Sequence, residues 1–337
     1  MVSCKSINFA CLYKWDMEFR TTIRMGENQG ALHHSDAVVL MGSCFSDNIG
    51  AKMQSAMMNA MVNPFGTLYN PMSIADGVQR LIVGDAIAGN TLFSLNGVWN
   101  SYNFHSRYSL ADKQATLNGM NARIVEGQAR LKTCQVLIVT LGTAMVYRLK
   151  SSGEVVANCH KVPQHEFTRQ MSSVDEMTEV MNTMVEKFHK FNPKAKVIFT
   201  VSPIRHIADG LDVNSLSKAM LRVAVNNVQQ HYRQIVDYFP AYEIMMDDLR
   251  DYRFYTADMV HPSDVAIEYI WQAFQATYFD DRSAQAIARC ERVSKRLQHR
   301  HMGASREVID RFNADTQVVL RNLVSQYPYL EDFVNNL

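Results

Sequence analysis

Residues 37–50 read AVVLMGSCFSDNIG. Five mostly apolar residues run into Gly42, Ser43 and Cys44, and polar residues that favour a helix start follow. An apolar run rich in β-branched residues that stops at a glycine reads as a buried strand passing straight into a helix. Similar runs recur at 136–141 (VLIVTL), 197–201 (VIFTV) and 242–246 (YEIMM), with a weaker one at 60–63. Helical stretches separate them at 47–58, with Ser46 as the cap, and at 73–83, 111–131, 173–191, 215–238 and 263–279. This βαβ rhythm predicts an α/β protein with one open parallel sheet and helices on both faces.

Two insertions interrupt the rhythm. Residues 91–104 (TLFSLNGVWNSYNF) alternate around Asn96-Gly97 and predict a hairpin. Residues 146–159 predict a second, turning at 151–153. Both follow strand ends and are expected to roof a site. After residue 281 the chain reads as helix to its end, with a break near 302–305. The expected organisation is therefore an N-terminal extension over 1–16, with Met17 as the start of organised sequence, an α/β domain over 17–280, and a helical appendage over 281–337.

Composition excludes several classes of function. The net charge of +1 over 337 residues gives no overall field for nucleic acid or an acidic membrane surface. The basic stretch 288–301 reads as a solvated helix face. No apolar run reaches the roughly 18 residues of a membrane span, and the N-terminal apolar patch is too short for a signal-peptide core. Cys4, Cys11, Cys44, Cys134, Cys159 and Cys290 contain no CxxC and no disulfide-type spacing. Reduced thiols in a cytoplasmic protein are the plain reading. Cys159, His160 and His165 lack a second cluster at zinc spacing, so neither metal nor cofactor is expected. The methionines are scattered at helix and strand positions as core filler.

In a parallel sheet, ligands bind beyond the carboxyl ends of the strands. Ser43 and Cys44 sit at such an end and also at a helix N-terminus, where unpaired N–H groups favour an anion. A nucleophile there needs a base, and the base needs an orienting group. TADMVHPSD (256–264) offers both, with Asp258 three residues before His261 and Pro262-Ser263 opening a helix. His105 and Arg107 in FHSRYS follow the first hairpin, and Arg205 and His206 end a strand in SPIRH. All four are candidates to contact an anionic or carbonyl group. His160, carried by the second hairpin, is a candidate contact or alternative base.

A strand ending in Gly-small-nucleophile-apolar, paired with a late Asp-x-x-His, resembles the SGNH (GDSL-type) hydrolases. Within them the chain is similar to the GSCFA family, whose motif reads GSCFS here. Further family-like blocks are NPFGTLYNP (63–71), FHSRYS (104–109), TLGTAMVY (140–147), ANCHKVP (157–163), TVSPIRH (200–206), MMDDLRDYRFY (245–255) and DMVHPS (258–263). The resemblance covers about residues 17–280. It implies a flavodoxin-like three-layer α/β/α fold and a hydrolase-type site. Laid on the GDSL pattern, Cys44 takes the nucleophile position, and a shift of one residue gives it to Ser43. His261 and Asp258 match base and acid. The implied oxyanion donors are the N–H groups of Cys44 and Gly66, with Thr143 in a third block where Ala144 replaces the family's Asn. Asn63, Asn70 and Thr143 are the candidates to compensate for the missing donor. The implied activity is ester hydrolysis or acyl transfer on a small ester or an acylated carbohydrate. The alternative is a catalytically silent binding domain for such a ligand.

Overall fold

The computed structural model describes residues 21–26, 28–299, 303 and 305–335; the expected extension over 1–16 and its boundary at Met17 lie outside them. Strand β1 (Val38–Gly42) enters helix α1 (Cys44–Ser55), and β2 (Ala60–Val62) is followed by α2 (Pro71–Val83). A hairpin of β3 (Phe93–Leu95) and β4 (Val98–Asn100) precedes α3 (Lys113–Thr133) and β5 (Val136–Leu141). A small antiparallel sheet then inserts β6 (Met145–Leu149), β7 (Val155–Val156) and β8 (Phe167–Met171). The main alternation resumes with α4 (Val174–Phe191), β9 (Lys196–Val201), α5 (Leu211–His231) and β10 (Val236–Tyr238). A short α6 (Ala241–Glu243) runs into a π-helical turn at Ile244–Asp248, and α7 (Asp264–Tyr278) follows. The chain continues through α8 (Asp281–Leu297), α9 (Arg306–Gln326) and α10 (Glu331–Asn335).

The central sheet has five strands in the order β2-β1-β5-β9-β10, all parallel. This is the doubly wound, flavodoxin-like order, and strand order reverses between β1 and β5. Successive residues alternate between two cores. Val39, Met41, Leu137, Val139, Val197 and Phe199 enter one, under α2 to α5. Val38, Leu40, Val136, Ile138 and Ile198 enter the other, beneath Phe45, Ile49 and Met53 of α1 and Ile270, Trp271 and Phe274 of α7. Burial on both faces explains why these strands read as unbroken apolar runs. The protein is a three-layer α/β/α fold with hairpin insertions and a C-terminal helical appendage. The appendage packs a third core of Ala286, Cys290, Val293, Leu320 and Leu323 against Met57 at the end of α1. No described helix is long and apolar enough to cross a membrane.

Some expectations from sequence are corrected. Residues 242–246 are not a strand but the α6 and π-helical turn, and the fifth strand is Val236–Tyr238. Pro240 separates the two, and the buried Ile244 and Met245 face the α7 core from a helical turn. The helix expected over 215–238 accordingly stops at His231. Ser46 does not cap α1: its hydroxyl donates to Thr140 Oγ1 at 2.8 Å, and Ser43 is the cap. With one face of α2 the two insertions line a cavity of about 840 Å³ whose walls include Tyr102, Asn103, Glu154 and Val155 but not Cys44, Asp258 or His261.

Gly42 makes the β1–α1 turn possible. Its φ is +145°, and a Cβ built on it would lie 2.1 Å from the Thr140 carbonyl oxygen. Gly42→Ala is expected to lower unfolding free energy by about 3 kcal/mol or more, because both backbone strain and the collision must be relieved. Urea unfolding checks this; an unchanged midpoint would show that β1 and β5 separate there without penalty.

Candidate active site

The helix that begins at the turn separates the two nucleophile candidates. Ser43 is 1% exposed, and its Oγ accepts from the Phe45 N–H at 3.3 Å. Cys44, the first helical residue, is half-buried with a free thiol. Its Sγ lies 3.4 Å from the Tyr69 hydroxyl. Among the described residues no acceptor takes the Cys44 N–H, as the start of a helix leads one to expect.

Asn63 holds the turn from below. Buried and with φ of +42°, it accepts from the Gly42 N–H at 2.9 Å and donates to Asp47 at 2.8 Å. Asp47 also pairs with Arg107 at 3.0 Å. His105 accepts from the Arg107 N–H through Nδ1 at 3.1 Å. Burial, followed by the nearby Arg107 and His160, holds its pKa below the ordinary histidine value. Gly66 packs its α-carbon face on His105, and its N–H is committed to the Asn63 carbonyl at 2.8 Å.

Tyr69 ties this loop to the end of β5. Its carbonyl accepts the N–H groups of Gly142 at 2.7 Å and Thr143 at 3.0 Å. Burial, helped by the bond to Cys44, pushes its phenol up to about 12, so the hydroxyl keeps its proton at neutral pH. The expected oxyanion donors Gly66 and Thr143 thus have their N–H groups committed to main-chain carbonyls. The Thr143 hydroxyl neighbours Ser217 Oγ at 3.2 Å.

Beneath the rim lies Lys218, 1% exposed. Its Nζ donates to the carbonyls of Gly142 at 2.7 Å and Ser202 at 2.8 Å, joining the carboxyl ends of β5 and β9. Burial brings its pKa down to about 7. His206 is packed edge-on to Tyr69 with ring centroids 5.7 Å apart. Burial, then the Lys218 charge, brings the His206 pKa down to about 4.

The loop bearing Asp258 and His261 docks on the same rim, where Arg205 N–H donates to the Val260 carbonyl at 3.2 Å. Asp258 Oδ2 lies 2.7 Å from His261 Nδ1. Its Oδ1 accepts from the Thr256 hydroxyl at 2.6 Å and from the N–H groups of Val260 at 2.8 Å and His261 at 3.0 Å. Led by the Thr256 bond, these contacts hold the carboxyl well below the usual carboxylate range. An ionised Asp258 can only accept, so in the neutral imidazole Nδ1 carries the proton and Nε2 is the free base. The pair is open to solvent, with side-chain exposures of 44% for His261 and 48% for Asp258. The Arg205 guanidinium lies over the Tyr255 ring, 4.0 Å from its centroid.

The structure therefore sets Cys44, Arg205, His206, Asp258 and His261 along the carboxyl ends of β1, β5 and β9. The sulfur bonds to Tyr69, and among the described residues no hydrogen bond joins it to His261. Other candidates have structural work. Asn70 caps α2 by accepting from Ser73 N–H at 2.9 Å. His160 is buried beside the first hairpin, with Nε2 2.8 Å from the Ser101 carbonyl. Tyr69 and Lys218 were not singled out from sequence. Tyr69 lies within NPFGTLYNP (63–71), and Lys218 stands on the buried stripe of α5 with Leu221 and Val225, where an isolated lysine is itself a signal.

Fold and site together define a three-layer α/β/α protein with a helix-start thiol and an oriented His–Asp pair on one rim. The GSCFA family profile matches residues 37–274, and the chain belongs to the GSCFA family. No curated protein matches it. Among solved structures, an acetyl xylan esterase from the rumen bacterium Butyrivibrio proteoclasticus is 11% identical over 72% of this chain, with a TM-score of 0.36. The chain spans 62% of that esterase, less than two thirds of its length. A second solved structure is 14% identical over 72% of this chain and 96% of its own, with a TM-score of 0.37.

The depressed His206 pKa makes a pH prediction. The unfolded imidazole takes a proton near its ordinary 6.5, the folded one only near 4. Stability is therefore lost as pH falls from about 6.5 to about 4, by on the order of 3 kcal/mol from this group. Lys218, Asp209 and His261 set its field. Urea midpoints across this window are expected to fall less in His206→Gln than in the unaltered protein; parallel curves would remove His206 as the cause.

Proposed function

We propose that the protein is an SGNH-like acyl hydrolase or acyltransferase that uses Cys44 as nucleophile, His261 as base and Asp258 as the orienting acid. The observation that carries this reading is the His261–Asp258 pair, with its free Nε2 on the rim that also bears Cys44. In the reaction, Nε2 takes the thiol proton and the sulfur attacks an ester carbonyl carbon. The carbonyl π pair moves to oxygen, where the Cys44 N–H is available to meet it. Collapse restores the carbonyl, breaks the C–O bond and returns the proton from His261 to the leaving alcohol. Water or an acceptor alcohol then resolves the thioester by the same steps. The reading requires His261 Nε2 to reach the sulfur in the substrate complex, where catalytic contacts often tighten.

The substrate class this supports is an ester or O-acyl group, including one carried on a carbohydrate. A half-buried reduced thiol suits a cytoplasmic setting. The sulfur's bond to Tyr69 in place of His261 favours a second reading, a silent domain that binds such a ligand without turning it over.

Iodoacetamide labelling with peptide mapping separates the two. Burial pushes the thiols of Cys134 and Cys290 up to about 12 and raises that of Cys159. Among the four described cysteines, Cys44 is expected to label first, with its advantage lost in His261→Ala. Hydrolysis of 4-nitrophenyl acetate is expected to vanish in Cys44→Ala and to fall by about 10²–10⁴-fold in His261→Ala. Ser43→Ala should keep the activity while losing about 1 kcal/mol of stability as a helix cap. Labelling of Cys44 no faster than Cys134, together with no esterase activity, would leave the binding domain.

A further inference from the structure

We infer that the Tyr69 hydroxyl is a catalytic hydrogen-bond donor to the oxyanion, in the role that the third-block residue does not fill; this rests on the acyl-transfer reading above. Thr143 cannot offer its N–H, which is bonded to the Tyr69 carbonyl at 3.0 Å. Ala144, the next residue, has no polar side chain, is fully buried, and gives its N–H to Ser217 Oγ at 2.7 Å. Gly66 N–H is closed into a turn on Asn63. With these groups committed, the Cys44 N–H is the one main-chain donor of the expected set left to the oxyanion, although a single donor of this kind is worth about 10²–10³-fold in rate.

Tyr69 supplies what is missing. Its hydroxyl is 3.4 Å from Cys44 Sγ. The reacting oxygen sits one bond beyond the carbon that joins to sulfur, so a donor this close to Sγ is placed to reach it. The phenol remains protonated at neutral pH because burial opposes its ionisation. The buried Thr67 side chain lies beside the phenol. The Tyr69 main chain is held on two sides: its carbonyl receives Gly142 and Thr143, and the preceding Leu68 N–H donates to the Gly42 carbonyl at 2.8 Å. Its ring abuts His206. A donor so fixed needs little reorganisation when charge appears, which is the condition for electrostatic stabilisation of a transition state.

During attack the Tyr69 proton stays on the phenol. The hydroxyl turns from sulfur to the oxygen that has gained the carbonyl electron pair, and back again as the C–O bond breaks. Its contact with the resting sulfur therefore places the hydroxyl at the reacting atoms.

The test compares two reactions of Cys44. Acetylation by 4-nitrophenyl acetate, followed by mass spectrometry in single turnover, passes through an oxyanion. Alkylation by iodoacetamide does not. Tyr69→Phe is expected to slow acetylation by about 10²–10³-fold while alkylation and its pH profile stay within a few-fold. Equal loss in both reactions, or no loss in acetylation, overturns the inference. If the unaltered protein is not acetylated at Cys44, the acyl-transfer reading fails first and takes this inference with it. Incorporation of 3,5-difluorotyrosine at position 69 keeps ring and hydroxyl while making the phenol more acidic. The alkaline limit of acetylation should then move to lower pH, and an unmoved limit also overturns the role.

Discussion

Between β1 and β5 the two main chains approach until no side chain fits: a Cβ on Gly42 would stand 2.1 Å from the Thr140 oxygen. Three hydrogen bonds fix the approach, two to the 63–70 loop and one to the end of β5. Gly42 N–H reaches Asn63 at 2.9 Å, Ser43 N–H reaches Thr140 at 3.1 Å, and Leu68 N–H reaches Gly42 at 2.8 Å. The end of β1, the end of β5 and the 63–70 loop thus move as one object. Strand order reverses at this place, and α1 and α4 leave for opposite faces of the sheet. Their divergence leaves the rim open to a ligand. Cys44 is the first residue past the contact, so its position is set by main-chain packing rather than by its own side chain.

The strands were legible where both faces are buried. Runs at 37–41, 136–141 and 197–201 have no polar alternation because their apolar residues enter one core or the other. The reading failed where that signal is absent or shared. FTRQM, the strand β8, is mostly exposed and carries no pattern. Val236–Tyr238 is three residues long, too short to show a period. Ile244 and Met245 are apolar and buried, yet the turn that buries them is helical, and burial over so few residues does not distinguish the two. Ser43 and Ser46 are equal as caps by residue type. A contact across the sheet, Ser46 to Thr140, decides between them.

The candidate site was legible where its chemistry is local. Asp258 and His261 are three residues apart, and one tight loop suffices to pair them. Asn63, Asn70 and His160 show the opposite case. Their residue types suggest ligand contacts, and the structure shows one polar atom of each meeting a main-chain group: Asn63 Oδ1 at Gly42, Asn70 Oδ1 at Ser73 and His160 Nε2 at Ser101. A sequence reveals which donors and acceptors exist and not which are already engaged. Tyr69 and Lys218 escaped for the same reason, since their importance lies in partners distant along the chain.

Those partners give the rim its electrostatic character. Lys218 places a nitrogen donor under the Gly142 and Ser202 carbonyls, which would otherwise be buried acceptors without partners. Arg205 lies above, and the α1 N-terminus faces Cys44. A field of this sign stabilises an anion on sulfur or on a substrate oxygen, and it opposes a second cation. His206, held neutral first by its burial and then by the Lys218 charge, adds none. In the proposed reaction His261 must become an imidazolium on the same rim, against that field. Asp258 makes this possible. The Thr256 hydroxyl and two N–H groups keep its carboxylate ionised, so a negative charge already stands 2.7 Å from His261 Nδ1 when the proton arrives. A rim built to favour anions therefore requires a carboxylate at the base, and the short spacing from Asp258 to His261 meets that requirement within one loop.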